Sequence, residues 1–176
     1  MPWEYLRTPV FDVRAERVAA AIGDVRGKTI VDLNCGHASL FRFLPRTYSM
    51  YLGNDIVREH LPRSTGTSAF YNVMDAIMPG LVRGSGLTID VLVVMGYYDF
   101  KSGPNKHESA TLDDTIRTLL AMGVGRVAIE CSRKSLPGVH RLPRDLRVAP
   151  FDIPWTGDPA MKWVSARALC TDEVGS

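Results

Sequence analysis

The chain has 176 residues and a formal net charge of +2 at pH 7, with 45% hydrophobic and 23% charged residues. This balance is that of a globular domain with enough chain for one substantial core, and so small a charge does not by itself imply nucleic acid. No apolar run has the length needed to span a bilayer, and Met1-Pro2-Trp3-Glu4-Tyr5 lacks the basic start and apolar stretch of a signal peptide, so a cytoplasmic location and no membrane partner are expected.

Asp12 is placed to cap a helix over 13–22, with Val18, Ala21 and Ile22 on its apolar stripe and Gly23 ending it. A strand over 28–33 follows, then a short helix over 38–44, stopped before Pro45. A second strand is predicted over 49–54, a brief helical turn before Pro62, and a third strand over 69–73. Residues 88–94 are nearly continuously apolar, the pattern of a central strand covered on both faces. An aromatic-rich loop occupies 96–104.

The strongest helical periodicity lies over 109–122, with Leu112, Ile116, Leu119 and Leu120 on one face. Thr111 and Asp114 suggest a capping box there, and Gly123 and Gly125 end the helix. A fifth strand over 126–131 and two closing strands over 147–153 and 161–170, joined as a hairpin through 154–159, complete the chain. Alternating strands and helices without internal repeats predict an α/β fold on a mostly parallel, seven-stranded sheet.

The three cysteines, Cys35, Cys131 and Cys170, form no C-x-x-C pair, and His37 near Cys35 completes no zinc pattern, so no metal is expected. Cys35 reads either as a nucleophile in a turn or as a small packed thiol. Sixteen of the 21 basic residues are arginine. Arg133, Lys134, His140, Arg141, Arg144 and Arg147 form the densest basic stretch, either a solvated surface or a contact for nucleic acid or another anion.

The most informative stretch runs from Thr29 to Ile56. An apolar strand ends on Asp32 and enters a turn of small residues; after a helical segment a second apolar strand ends on Asp55. Backbone amides at such a turn and a carboxylate facing ribose hydroxyls are one physical solution for holding a nucleoside. Asp75 follows the third strand in the same way. Taken singly, Asp55 and Asp75 read equally as helix caps and Asp32 as a brace for the turn.

This order of elements, with acids at successive strand ends, resembles the class I S-adenosylmethionine-dependent methyltransferases over nearly the whole chain. Their first motif, an acid followed by alternating glycines, corresponds to Asp32-Leu33-Asn34-Cys35-Gly36-His37-Ala38. Gly36 is retained; Asn34 and Ala38 stand at the other two glycine positions. Asn is the non-glycine residue most tolerant of positive φ, whereas Ala38 adds a methyl group that leaves less room for the cofactor.

The resemblance implies a three-layer Rossmann-like sandwich with one antiparallel strand near the C-terminus. It implies one domain, with an N-terminal segment and helix over 1–27, a cofactor-binding core over 28–131 and closing strands over 132–176. It implies S-adenosyl-L-methionine as cofactor, held by Asp32, Asn34, Gly36, His37, Asp55, Ile56, Asp75, Ala76, Met95 and Gly96. Within that set, Asp55 would take the ribose hydroxyls, Ile56 would lie beneath the adenine and Asp75 would accept from its amino group. Met95 and Gly96 would sit beside the methionine part.

Tyr97, Tyr98 and His107 are the candidates for the acceptor side and its chemistry, and Trp3, Tyr5 and Trp155 are further aromatics able to close the site. The amine-methylating branch of the family has Asn/Asp-Pro-Pro-Tyr where this chain has Met95-Gly96-Tyr97-Tyr98. The expected activity is methyl transfer to an unidentified acceptor. The alternative is a non-catalytic binding or scaffold subunit of the same fold, and a nicotinamide oxidoreductase lacks its G-x-G-x-x-G here. Little chain is left for a substrate-recognition domain, so loops, a second copy of the chain or a partner subunit would recognise the acceptor.

Overall fold

The computed structural model describes residue 9 and residues 12–97, 106–154 and 165–172, with the backbone alone for 106–110. Seven strands form one sheet in the order β3-β2-β1-β4-β5-β7-β6. They are β1 (Thr29–Leu33), β2 (Met50–Asn54), β3 (Ser68–Tyr71), β4 (Val91–Tyr97), β5 (Arg126–Ser132), β6 (Arg147–Asp152) and β7 (Ala166–Thr171). β7 alone runs against the rest, antiparallel to both β5 and β6. The expected seven-stranded, mostly parallel sheet with one antiparallel strand near the C-terminus is therefore present.

Among the described residues five α-helices cover the two faces: α1 (Asp12–Ile22), α2 (Ser39–Phe43), α3 (Met78–Ser85), α4 (Lys106–Ala121) and α5 (Leu136–Val139). Alternation along the strands divides the core in two. Ile30, Val91, Val93 and Ala128 pack with Val18 and Ile22 of α1 and Leu40 of α2. Val31, Leu92, Val94 and Ile129 pack with Val82 of α3, Ile116 and Leu119 of α4 and Val139 of α5. β1 is buried at every position, Thr29 and Asp32 included, as a central strand covered on both faces requires.

Gly23, at φ 66°, ends α1 as expected, its amide bonding back to the carbonyl of Ala19 at 3.3 Å. Several boundaries differ from the sequence expectation. β4 begins at Val91 rather than at residue 88, because Asp90 accepts from the backbone amide of Thr29 through its side chain (2.8 Å). It runs on through Gly96 and Tyr97, which were expected in a loop, because Gly96 is held by β5. α4 starts at Lys106, so Thr111 is interior to the helix rather than a cap, and its carbonyl accepts from the Thr115 hydroxyl at 2.8 Å.

Helix α3 was not expected. Gly80 and Gly84 weaken its local helical signal, whereas burial of Met78 and Val82 one turn apart supplies what propensity lacks. β7 starts at Ala166, and the expected residues 161–164 of that strand lie outside the described residues, as do Trp3, Tyr5 and Trp155. No helix among the described residues is long and apolar enough to cross a membrane.

Candidate functional site

The carboxyl ends of β1, β2 and β3 lie side by side, on the half of the sheet where the strand order reverses between β1 and β4. In an open α/β sheet this reversal opens a crevice above the strand ends. Asp32, Asn54 and Asp55 are buried there, while Asn34, Gly36, His37 and Asp75 are half-buried.

The turn after β1 is built from three residues in the left-handed region, Asn34 (φ 53°), Gly36 (φ 53°) and Ala38 (φ 50°). These are the three glycine positions of the first motif. Asn34 takes the conformation expected of it. Ala38 does not narrow the crevice as expected: its side chain is only 1% exposed and packs in the core beneath α2. Burial of that methyl offsets the strain of a left-handed alanine.

The turn is braced from β2. The amide of Cys35 donates to the carbonyl of Asn54 at 2.9 Å, and that of Gly36 donates to Asp55 Oδ2 at 3.1 Å. Asp55 Oδ1 also accepts from the amide of Val57 at 2.7 Å. His60, on the single helical turn after β2, places Nδ1 3.7 Å from Asp55 Oδ1, and its ring lies 3.9 Å from that of His37. Each carboxylate oxygen offers two acceptor directions, so these contacts leave Asp55 capacity for two vicinal hydroxyls.

Asp75 is gripped on both oxygens. Asn34 Nδ2 donates to Oδ2 at 2.8 Å, and Asn54 Nδ2 donates to Oδ1 at 2.7 Å. Beneath them Asp32 accepts from the Tyr51 hydroxyl. Burial pushes the Asp32 carboxyl up to about 7, helped by the nearby charge of Asp55 and opposed by the Tyr51 bond. Asp32 Oδ1 and Asn54 Oδ1 are buried acceptors with no hydrogen-bond partner among the described residues. Burial, and next the charge of Asp32, push the Cys35 thiol up, so Cys35 is a packed neutral thiol and not a nucleophile.

Among the described residues the large hydrophobic side chains that stand exposed are Ile56 (54%), Met74 (53%) and Ile77 (51%). All three flank Asp55 or Asp75. Ala76 is exposed beside them. Exposed apolar side chains next in the chain to acceptor carboxylates are the combination of groups that a small-molecule site uses.

At the end of β4 the register with β5 shifts between Met95 and Tyr97, leaving Gly96 (φ 77°) as the bulged residue. The Gly96 amide donates to Glu130 Oε2 at 3.0 Å. Glu130 is fully buried and paired with Arg14 of α1 and Arg167 of β7. These two guanidiniums outweigh the cost of burial and hold its carboxyl down at about 2. The bulge turns Tyr97 onto the α4 face, where it is completely buried and its hydroxyl donates to Asp113 at 2.5 Å. Tyr97 therefore does not line the crevice; Met95, half-buried, packs toward α1 and α2. Tyr98 and the side chain of His107 lie outside the described residues.

The basic stretch divides as well. Arg133 donates to the Phe151 carbonyl (3.1 Å) and Asp152 (2.9 Å) of β6 and to the Arg167 carbonyl of β7 (3.1 Å), whereas Arg144 pairs with Asp172, just after β7, at 2.5 Å. Lys134, His140, Arg141 and Arg147 are exposed. No cluster of three or more metal-ligating side chains occurs among the described residues.

Tyr51, Asn54 and His60 belong to the crevice but were not singled out from sequence. A polar Asn closing an apolar strand is the signal that would have found Asn54. Nothing local marks Tyr51 or His60.

Solved structures similar to this fold include several S-adenosylmethionine-dependent methyltransferases. A SAM-dependent methyltransferase from Archaeoglobus fulgidus aligns with a TM-score of 0.62 at 12% identity, over 96% of each chain. Magnesium protoporphyrin IX methyltransferase from Synechocystis, solved with bound SAM, aligns with a TM-score of 0.60 at 14% identity over 92% of this chain and 79% of its own. A precorrin 8w decarboxylase from Methanobacterium thermoautotrophicum gives 0.58 at 14% identity, over 93% and 90%. No family model and no curated protein matches the sequence. The chain thus has the seven-stranded fold of the class I S-adenosylmethionine-dependent methyltransferases.

Proposed function

We propose that this protein is an S-adenosylmethionine-dependent methyltransferase acting on an unidentified acceptor. The observation that carries the reading is the exposed trio Ile56, Met74 and Ile77 around Asp55 and Asp75. Exposed apolar side chains grouped in the chain beside acceptor carboxylates suit a flat, polar-edged ligand, and a purine ring against them would bury their apolar surface. Asp55 would accept from the two ribose hydroxyls and Asp75 from the exocyclic amine. The unpartnered, buried Asp32 Oδ1 offers an acceptor beneath the first turn.

Bound there, the cofactor supplies a methyl group already activated by the positive charge on sulfur. The protein's own share is alignment and exclusion of water, the contribution that converts a bimolecular displacement into an oriented one. The Glu130 carboxylate fixes the Gly96 amide near the end of β4.

Calorimetric titration with S-adenosylmethionine and S-adenosylhomocysteine tests the reading. Saturable binding that Asp55→Ala abolishes supports it; no binding at millimolar ligand overturns it. Burial of Tyr97 favours the second reading, a non-catalytic binding subunit of the same fold. Tight cofactor binding with no methyl transfer to RNA, protein or small-molecule acceptors would support that alternative.

A further inference from the structure

His60 stands against the carboxylate that the nucleoside reading assigns to the ribose. It lies on the helical turn after β2, with Nδ1 3.7 Å from Asp55 Oδ1. Its ring meets that of His37, on the turn after β1, at a centroid separation of 3.9 Å. The His60 side chain is 16% exposed and that of Asp55 12%, so water and salt screen their interaction only weakly.

The bonds that Asp55 already makes decide what His60 can do. Oδ2 accepts from the Gly36 amide and Oδ1 from the Val57 amide. Each oxygen then keeps one acceptor direction, and two vicinal hydroxyls need both. At 3.7 Å the His60 ring is too distant for a hydrogen bond and leaves Oδ1 open. A proton on the ring draws it onto the carboxylate as a charge-assisted donor, which takes that direction.

We infer that His60 gates the ribose position of the crevice: neutral, it leaves Asp55 Oδ1 to a ligand hydroxyl, and protonated, it occupies that oxygen itself. The inference rests on the nucleoside reading of the site and adds to it a control by pH. Imidazole is the side chain that changes charge between about pH 5 and pH 8, so the site opens toward neutral pH and closes in acid. Other groups around His60 set the terms. A proton on both His37 and His60 would put two like charges in contact. Arg58 and Glu59 share the turn of His60 and are exposed. Of the acids at the neighbouring strand ends, Asp75 is bonded to Asn34 and Asn54, whereas Asp32, with its carboxyl at about 7, titrates in the same window.

The experiment is calorimetric titration with S-adenosylhomocysteine at steps from about pH 8 to about pH 5. Wild type is expected to bind about ten- to a hundredfold more weakly at the acid end, the range for one hydrogen bond to a charged group. His60→Phe keeps a flat ring against His37 and cannot carry the charge, so its affinity is expected to stay level. His37→Phe and Asp32→Asn are each expected to retain the acid loss, which separates His60 from the other two titrating groups. A second measurement uses wild type alone. Because the coupling is reciprocal, the ligand must lower the pH at which the His60 ring protons titrate in proton NMR. Wild-type affinity that holds into acid, an acid loss that persists in His60→Phe or vanishes in His37→Phe or Asp32→Asn, or a His60 titration that the ligand leaves unmoved, overturns the inference while leaving the nucleoside site standing. Wild type that binds at no pH overturns both.

Discussion

Replacing Glu130 by Gln should cost about 3–5 kcal/mol of stability, the range for breaking a buried ion pair from one side. The structure explains why the cost is high. Glu130 and Arg167 are completely buried and Arg14 is 7% exposed, so the substitution removes from a buried site the one carboxylate that both guanidiniums contact. The pH dependence gives an independent check. The Glu130 carboxyl is lowered from 4.5 to about 2, so its contribution is present above pH 4.5 and is lost as pH falls toward 2. At 1.36 kcal/mol per pH unit, that interval amounts to about 3 kcal/mol. Urea unfolding followed by circular dichroism at pH 7 and at steps from pH 5 to pH 2 measures both. The variant should be weaker at pH 7 and should approach wild type as pH falls. Replacing Arg14, Glu130 and Arg167 together by apolar residues should recover most of the loss. A loss below about 1 kcal/mol at pH 7, or a gap to wild type that stays constant down to pH 2, would refute the assignment of Glu130 as the charged keystone of α1, β5 and β7.

Two further outcomes follow from the crevice. Asp32 titrates in the opposite sense to Glu130. Its carboxyl is raised from 3.8 to about 7, so its stabilising protonated form is fully present below pH 3.8 and is lost as pH rises toward 7. Relative to Asp32→Asn, which keeps the neutral shape, wild type should lose about 4 kcal/mol across that window and nothing more above it; a flat difference in unfolding midpoints contradicts the buried, protonated carboxyl. Ala38→Gly should change stability by less than about 1 kcal/mol, because relief of a left-handed alanine, about 1 kcal/mol, nearly cancels the loss of a buried methyl, about 0.8 kcal/mol. A drop of more than about 2 kcal/mol in urea unfolding would show that the methyl packs more tightly than its place beneath α2 indicates.

The sheet and the acids at its strand ends were legible because they are local signals. Apolar runs in β1, β2 and β4 fix strands whatever lies elsewhere, and a carboxylate at the end of such a run stands out. The conformation of Asn34 was legible for the same reason, since it depends on the residue's own backbone freedom. What the sequence hid depends on partners far along the chain. Tyr97 reads as an acceptor-side aromatic until Glu130, 34 residues beyond Gly96, is seen to hold the bulge that turns it into the core. Ala38 reads as an obstruction until its methyl is found in the core rather than in the crevice. The grip of Asn34 and Asn54 on Asp75 joins three strand ends, and no periodicity or spacing records it.

The central claim is that Ile56, Met74 and Ile77 are exposed because a nucleoside covers them. The most direct measurement is carbon-13 methyl spectroscopy of the two isoleucines and the methionine during titration with S-adenosylhomocysteine. The account requires saturable shifts at these three methyl groups with one common dissociation constant, together with a shift of the Gly36 amide that bonds Asp55. Unmoved methyl signals at millimolar ligand, or shifts confined to another face of the sheet, would contradict it.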